Sequence, residues 1–338
     1  MLRLRDHFQA ALAAAFNGAR LVVDVILHLG AHRTGTTTLQ VYLEQNRDNL
    51  KQIGTAFWGP SRTRSGLFSG LVKRPRDLTH DGVLRGERSC GLIRMELDRM
   101  DRAGVQTLIV SEENMVGSMS NNLFETALYP DAGPRLRRFR GAFQGHCSRV
   151  ALSIRSYDKY WISALSYMVE RGWPLPDQAM LDRLVTQSRR WRDLIRDAAA
   201  AFPNAQLWVW PFEAMIGQPQ NQLAVISGAA APMRMRGGAD WHNASARSDR
   251  LRQVLIERGQ PEQAAALPVQ NRRWQPFSAA HLATFHHQYQ QDIAWLRQGA
   301  DGIARYIEQK DDMAAGAHLR RSPNQRGQCN DPEERSVG

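Results

Sequence analysis

The stretch Gly30-Ala-His-Arg-Thr-Gly-Thr-Thr37 decides the fold of this chain. An apolar run at residues 21–29 precedes it and predicts a buried parallel strand, and residues 39–50 that follow are typical of a helix. A strand, a glycine-containing turn and a helix in this order form a cradle for phosphate. Backbone N–H groups at the helix N-terminus face the anion, and the helix dipole favours negative charge there. We therefore predict a phosphate-binding loop between the first strand and the first helix.

The cation of this loop stands at an unusual position. In the loops of nucleotide triphosphatases a lysine directly follows the second glycine, where it reaches the β- and γ-phosphates. Here Thr36 follows Gly35, and the nearest cation is Arg33, two residues before that glycine. The loop thus predicts a phosphate-bearing ligand but lacks the lysine of that enzyme class.

Further strands are predicted at residues 105–110, 150–154 and 207–210, with helical stretches between them. Strands that alternate with helices form a parallel sheet with helices on both faces, which is a three-layer α/β fold. The predicted helices cover residues 39–50, 84–102, 134–143, 158–170, 178–201, 221–226, 248–258 and 279–297.

The ends of the chain differ from its middle in composition. Residues 1–20 are alanine-rich with one apolar face, residues 21–310 carry the strands and helices, and residues 311–338 are polar without a period. We therefore predict an amphipathic leader, one α/β domain and a disordered tail. No apolar run approaches the ~20 residues of a membrane-spanning helix, so we expect no integral membrane segment. Three widely spaced cysteines fit neither a disulfide framework nor a zinc site, which predicts a reducing, cytoplasmic setting.

The net charge of +11 allows a nucleic acid, an anionic membrane surface or an anionic small molecule as partner. The arginines are scattered among glycines and serines, and no helix-turn-helix, zinc or aromatic-platform pattern accompanies them. We therefore expect no nucleic-acid partner. The charge has two interpretations, which are solvated protein faces and a positive field around a polyanionic ligand.

A second candidate anion site follows the predicted strand at residues 150–154. Arg155 stands at the carboxyl end of that strand, where open α/β sheets bind their ligands. Ser163 comes eight residues later, about two turns along the next helix. A guanidinium fork and a serine hydroxyl can together bind a second phosphate.

Together the two motifs resemble those of the sulfotransferases that use 3′-phosphoadenosine 5′-phosphosulfate (PAPS). The first motif of that family has the form Lys-[Ser/Thr]-Gly-Thr-[Thr/Ser], which Arg33-Thr-Gly-Thr-Thr37 matches with arginine in place of lysine. The second has an arginine and, eight positions later, a serine, as Arg155 and Ser163 are. Tyr157 stands where many members have proline.

The resemblance implies a P-loop nucleotide-binding fold of the sulfotransferase type and PAPS as co-substrate, with no metal ion required. It covers residues 22–297 and includes an Asn-x-Ser element. Arg155 and Ser163 would bind the 3′-phosphate. Arg33, at the other end of the nucleotide, would neutralise the charge on the leaving phosphate. The residues that the resemblance places at the nucleotide are Gly30, Arg33, Thr34, Gly35, Thr36, Thr37, Arg155, Ser163, Asn243 and Ser245.

Sulfuryl transfer to a hydroxyl or amine needs a base, and three side chains are candidates. Glu112 and Glu113 follow the second predicted strand, and His80 lies further upstream. Adjacent side chains alternate in direction, so we expect one carboxylate to face the cleft and we favour Glu113. Nearby cations are expected to keep it ionised, and partial burial is expected to raise its pKa. The sequence leaves open whether the acceptor is a small molecule, a glycan or a lipid, and in which oligomeric state the chain exists.

Two other functions stay open on the sequence alone. Residues 108–112 form an apolar run that ends in Glu112. P-loop kinases and triphosphatases have a similar apolar strand, which ends in an acid that binds magnesium. The second alternative is a basic nucleic-acid-binding protein without catalysis. The missing lysine after Gly35 counts against the first, and the scattered arginines count against the second.

Overall fold

Six parallel strands form one sheet in the order β2-β3-β1-β4-β5-β6 within the residues that the structure describes. The computed structural model describes residues 22–228, 235–238 and 245–308, so the predicted leader, the predicted tail and Asn243 lie outside it. The strands are β1 (Asp24–His28), β2 (Thr55–Trp58), β3 (Thr107–Ser111), β4 (Cys147–Ile154), β5 (Gln206–Pro211) and β6 (Arg305–Tyr306).

Helices make up most of the connections between the strands, as the alternating sequence pattern predicted. In the described residues they are α1 (Thr36–Gln45), α2 (Arg47–Gln52), α3 (His80–Arg102), α4 (Met119–Phe124), α5 (Ala132–Phe143), α6 (Tyr157–Glu170), α7 (Gln178–Thr186), α8 (Trp191–Ala201), α9 (Pro219–Ser227), α10 (Ser248–Glu257), α11 (Pro261–Ala265) and α12 (Ala279–Arg297). Short helical turns lie at Pro60–Arg62, Thr63–Leu67, Pro75–Asp77, Glu113–Met115, Phe212–Met215 and Ala300–Gly302. Of the helices in the described ranges, none combines the length and apolar character needed to cross a bilayer.

Helices cover both faces of the sheet. Val25 and Leu27 of β1 belong to one buried cluster, which also contains side chains of α3, α5 and α8. Ile26, which lies between them, belongs to a second buried cluster with side chains of α1 and α9. Because successive side chains of a strand point to opposite faces, the two clusters are the cores on the two sides of the sheet. The predicted α/β class, with a parallel sheet between helices, is confirmed.

The predicted helix at residues 39–50 is wrong in its extent, because Asn46 separates α1 from α2. Its side-chain amide donates to the carbonyl oxygens of Tyr42 (2.7 Å) and Arg236 (2.9 Å), and its Oδ1 accepts from the Arg236 N–H (2.8 Å). Asparagine side chains that bond to backbone in this way compete with helical hydrogen bonds. The loop that contains Arg236 therefore fixes where α1 ends.

The predicted helix at residues 178–201 is likewise two helices, α7 and α8. The backbone N–H of Arg190 donates to Asp193 Oδ2 (2.8 Å), and an acid that bonds back to the N-cap in this way marks the start of a helix. In contrast, α3 begins earlier than predicted, because the Thr79 hydroxyl caps it by accepting from the Gly82 N–H (3.2 Å).

The sequence analysis missed β2 and β6, the two edge strands of the sheet. With four residues in β2 and two in β6, they are too short to give a periodic apolar run. Neither strand changes the position of the predicted phosphate loop, which follows the central strand β1.

β1 lies at the point where the order of the strands reverses. From β1 the chain forms β2 and β3 on one side, and then crosses to β4, β5 and β6 on the other. Open parallel sheets bind ligands at such a switch point, outside the carboxyl ends of the strands. The loop after β1 therefore occupies the position that this topology favours for a ligand.

Candidate functional site

Four neighbouring strands end at one edge of the sheet and bring distant segments together. The loop of residues 30–37 follows β1, Glu113 follows β3, Arg155 follows β4 and Phe212 follows β5. A cavity of about 570 Å³ lies at this edge, and residues from all four strand ends line it. We call it the first cavity.

The first cavity is strongly basic. Glu113 is the carboxylate among the described residues that line it, and five guanidiniums surround the same space. The arginines are Arg33, Arg155, Arg247, Arg272 and Arg273. A cavity walled by one sign of charge concentrates ions of the opposite sign, so this cavity fits a ligand with several negative charges.

The loop after β1 needs its two glycines. Gly30 and Gly35 have φ values of 89° and 77°, in the left-handed region that side chains rarely adopt. A Cβ on Gly30 would lie 2.9 Å from the Cβ of Glu113, and one on Gly35 would lie 2.9 Å from the Phe212 ring. Gly35 is also the N-cap of α1, whose first N–H groups have no acceptor within the helix. The glycines thus bring the loop close to β3 and β5 and leave a helix N-terminus at the cavity.

The threonines of the loop have two roles, and Thr36 has both of them. The hydroxyls of Thr34 and Thr36 both donate to the Ala31 carbonyl oxygen, at 2.7 and 2.8 Å, and hold the loop in its turn. Thr36 and Thr37 line the first cavity, whereas Thr34 is buried and does not. Thr34 therefore shapes the loop from behind.

Arg33 reaches across the cavity to two serines that come from distant parts of the chain. Its Nε donates to Ser163 Oγ (2.8 Å) and its Nη2 to Ser245 Oγ (3.3 Å). The two hydroxyl oxygens lie 2.6 Å apart, and the guanidinium lies 4.9 Å from the centre of the Tyr167 ring. Burial lowers the pKa of Arg33, but arginine remains protonated at any physiological pH.

Arg155 stands beside Arg33. Its Nη1 donates to the Arg33 carbonyl oxygen (2.6 Å), and its guanidinium lies 4.8 Å from the centre of the Phe212 ring. The indole N–H of Trp191 fixes its backbone by donating to the Arg155 carbonyl oxygen (2.7 Å). Burial lowers the pKa of Arg155 to about 10, although Glu213 nearby acts in the opposite direction. The packing thus orients a buried cation toward the cavity.

The placement of Arg33 differs from the prediction in one respect. The resemblance implied that Arg33 and Arg155 bind opposite ends of a nucleotide, with Ser163 at the Arg155 end. In the structure the Arg33 guanidinium itself donates to Ser163 and lies over the Tyr167 ring. The Arg33 guanidinium therefore lies at Ser163, while the Arg155 guanidinium lies at the Arg33 carbonyl oxygen and the Phe212 ring.

Glu112 and Glu113 have different surroundings. Glu113 lines the first cavity, where its carboxylate accepts from Gln40 Nε2 (2.9 Å) and Arg64 Nη2 (2.8 Å). Glu112 is buried, accepts from the Thr63 hydroxyl (2.6 Å) and receives both arms of the Arg64 fork, at 2.9 and 2.8 Å. Glu113 is thus the carboxylate within reach of a ligand in the first cavity, and Glu112 positions Arg64.

The expected rise in the pKa of Glu113 is wrong. Burial does act to raise this pKa, but His32, the Arg64 guanidinium and N–H donors such as Gln40 favour the carboxylate more strongly. The pKa of Glu113 therefore lies below its ordinary value, and the side chain is ionised over the whole neutral range.

The other predicted site residues lie elsewhere. His80 is exposed at the first residue of α3 and is not among the residues that line the first cavity. Gly30 shapes the loop without lining the cavity, and Asn243 lies outside the described residues. The structure therefore brings Arg33, Ser163 and Ser245 together with Arg155 and Glu113, and does not bring His80 to them.

Sequence reasoning missed three arginines of the cavity wall: Arg247, Arg272 and Arg273. Ser248 attaches the segment that contains Arg272 to the start of α10. Its hydroxyl donates to the Gln270 carbonyl oxygen (2.5 Å), and its backbone N–H donates to the Arg272 carbonyl oxygen (2.9 Å). These arginines lie in irregular segments without a motif. The net charge of +11 indicated an excess of basic residues but not which of them line the cavity.

No protein-family model, curated protein or solved structure matches this chain. Its function is therefore inferred from the geometry of the first cavity and from the two motifs that meet there.

Proposed function

We propose that this protein is a PAPS-dependent sulfotransferase that transfers a sulfuryl group to a hydroxyl or amine by in-line displacement. The observation that carries the proposal is the meeting of two motifs that are 122 residues apart, through the hydrogen bond from Arg155 Nη1 to the Arg33 carbonyl oxygen (2.6 Å). Five arginines, a helix N-terminus and one carboxylate around the same space match a ligand with phosphates at two positions and a nearby nucleophile.

The chemistry assigns a role to each group. The acceptor oxygen attacks sulfur while the bond from sulfur to the bridging phosphate oxygen breaks, and 3′,5′-bisphosphoadenosine leaves with that electron pair. The acceptor proton passes to the carboxylate of Glu113, which is ionised and faces the cavity. Arg33 and the N–H groups at the start of α1 stabilise the charge that develops on the leaving oxygen.

Arg33 has to exchange partners for this role. In the structure its Nε donates to Ser163 (2.8 Å), at the end of the cavity assigned to the 3′-phosphate. With the nucleotide bound, Ser163 would hold the 3′-phosphate and the Arg33 guanidinium would instead neutralise the phosphosulfate. Arginine remains protonated, so it acts on the leaving group through its charge and not by donating a proton.

The surroundings of Glu112 make a magnesium-dependent kinase or triphosphatase the weaker candidate. In such an enzyme the acid after the strand beside the phosphate loop faces the metal. Glu112, the acid at the end of the apolar run of residues 108–112, is instead buried and saturated by Thr63 and the two arms of the Arg64 fork. Together with the missing lysine after Gly35, this favours a ligand whose charge the arginines neutralise.

Thermal denaturation with three nucleotides tests the proposal. A ligand that binds the folded state alone stabilises it by about 2.7 kcal/mol at a concentration of 100 times its Kd, so 3′,5′-bisphosphoadenosine is expected to raise Tm by several degrees. Adenosine 5′-phosphate, which lacks the 3′-phosphate, is expected to raise Tm much less. A rise with ATP and magnesium but none with bisphosphoadenosine would reject the sulfotransferase and favour the kinase.

Replacing Arg155 with alanine is expected to weaken bisphosphoadenosine binding at least about thirtyfold, since truncating one member of a buried charge pair costs at least about 2 kcal/mol. Arg149→Ala is the matched control. Arg149 lies on β4, the strand that Arg155 follows, and its guanidinium also stacks on an aromatic ring (3.9 Å from Trp208), but it does not line the first cavity. Calorimetric titration measures both, and an equal Kd for the two variants would remove Arg155 from the site.

A further inference from the structure

A cavity of about 990 Å³, larger than the first, is lined by Glu112 and Asn114, the chain neighbours of Glu113. We call it the second cavity. Arg64 lies on its wall and donates through Nη2 to both Glu112 Oε1 and Glu113 Oε1, each at 2.8 Å. Glu112 lines the second cavity and Glu113 lines the first. Arg64 therefore connects the wall of the second cavity to the carboxylate that we propose as the base.

The second cavity also carries a positive charge. Five basic side chains line this cavity, compared with two carboxylates, those of Asp77 and Glu112. The basic residues are Arg64, Lys73, Arg74, Arg76 and Arg135. Three of them have carboxylate partners, since Arg64 pairs with both glutamates, Arg74 with Asp77 and Arg76 with Glu125. No ion pair joins Lys73 or Arg135 to a carboxylate of the described residues.

Arg135 is the informative member of this set because it is buried. Its side chain is 5% exposed, its Nη2 donates to the Asn114 carbonyl oxygen (2.7 Å), and its Nε has no hydrogen-bond partner among the described residues. Burial lowers the pKa of Arg135 to about 10, and Arg138 acts in the same direction while Asp131 opposes it. A buried cation without a paired carboxylate is costly to the fold, so its presence in a cavity wall points to a negative charge that the ligand brings.

The remaining wall favours a hydroxyl-rich ligand over a lipid chain. Serine and asparagine side chains line it beside the cations, and they can exchange hydrogen bonds with sugar hydroxyls. They are Ser69, Ser118, Ser120, Asn114 and Asn121. Phe124, which is 70% exposed, and Trp173 offer flat apolar faces at the same cavity. A lipid tail would instead need an apolar wall without this many donors and charges.

We propose that the acceptor is an acidic saccharide, whose negatively charged group binds near Arg135 and Lys73 while a hydroxyl reaches Glu113. This proposal rests on the proposed sulfotransferase function and adds the class of its acceptor. The sugar hydroxyl is the nucleophile of the displacement described above, its proton passes to Glu113, and the product is a sulfate ester of the saccharide.

The test compares two tetrasaccharides of equal length on protein saturated with 3′,5′-bisphosphoadenosine, which fills the first cavity. A hyaluronan tetrasaccharide carries two carboxylates, and N,N′,N″,N‴-tetraacetylchitotetraose carries none. Calorimetric titration is expected to give the acidic sugar a Kd at least about tenfold lower, with an affinity that falls as salt is added. Equal binding of both sugars, or binding of neither, overturns the acidic acceptor while the bound nucleotide leaves the sulfotransferase intact. Failure of the nucleotide itself to bind overturns both.

Two pairs of variants assign the binding to the second cavity. Arg135→Gln is expected to weaken binding of the acidic tetrasaccharide about tenfold or more, and Arg135→Lys, which keeps the charge, is expected to weaken it less. Lys73 is exposed, so Lys73→Gln keeps the fold and is expected to weaken binding about threefold. Lys51→Gln, an exposed lysine of α2 outside both cavities, is its control and leaves the Kd unchanged. The assignment to the second cavity is contradicted if Lys73→Gln binds the acidic tetrasaccharide with the same Kd as Lys51→Gln and the Kd of Arg135→Gln is also unchanged.

Discussion

Arg33→Ala is expected to lower kcat for sulfuryl transfer by about 10²–10³-fold, which is the usual cost of removing a group that stabilises charge in the transition state. Transfer from PAPS to water provides an assay that needs no known acceptor, since release of bisphosphoadenosine can be followed by anion-exchange chromatography. The binding of bisphosphoadenosine is expected to weaken less than tenfold, because Arg155 and the other arginines of the first cavity remain. A group that acts mainly in the transition state affects kcat more than affinity.

Arg33→Lys is the matched control for this experiment. Lysine keeps the positive charge but loses the planar fork that donates to Ser163 and Ser245. We expect kcat of the lysine variant to lie well above that of Arg33→Ala, because the charge and not the fork stabilises the leaving oxygen. Equal losses of kcat and of nucleotide affinity in Arg33→Ala would instead place Arg33 in binding alone.

The phosphate loop and its strand were predictable because their signals are local. Residues 30–37 carry their glycines, threonines and cation within eight positions, and both glycines have the positive φ that such a loop needs. The break between α1 and α2 was not predictable from the neighbouring residues, because it depends on hydrogen bonds between Asn46 and Arg236, 190 residues away. Secondary structure fixed by a distant segment leaves no periodic signal where it occurs.

The site was predictable in its motifs and not in its contacts. The spacing of Arg155 and Ser163 placed both at one ligand, but the bond from Arg33 to Ser163 depends on a side-chain conformation that spacing does not encode. The lowered pKa of Glu113 has the same origin. It follows from His32 and from Arg64, a residue of a short helical turn that no sequence motif marked. Local patterns thus identified the groups, and tertiary packing decided their charge states and partners.

Glu113→Gln is expected to lower kcat by about 10²-fold or more, which is the usual contribution of a positioned base. The amide keeps the shape of the side chain but cannot accept the acceptor proton at neutral pH. In the wild-type protein the pKa of Glu113 lies below its ordinary value, so kcat/KM is expected to stay constant from neutral pH downward and to fall only on the acidic side of the usual glutamate range, of about 4.3. Nucleotide affinity is expected to change little.

Glu112→Gln separates the base from its neighbour. Glu112 is buried and binds both arms of the half-exposed Arg64 fork, so its amide variant is expected to lower Tm through the loss of an ion pair whose carboxylate is buried. Its kcat is expected to exceed that of Glu113→Gln, because Glu112 does not line the first cavity. Each variant removes one of two adjacent carboxylates. Glu113→Gln removes a negative charge from the first cavity, and Glu112→Gln removes one from the second. A larger loss of kcat in Glu112→Gln than in Glu113→Gln would show that the base was assigned to the wrong carboxylate.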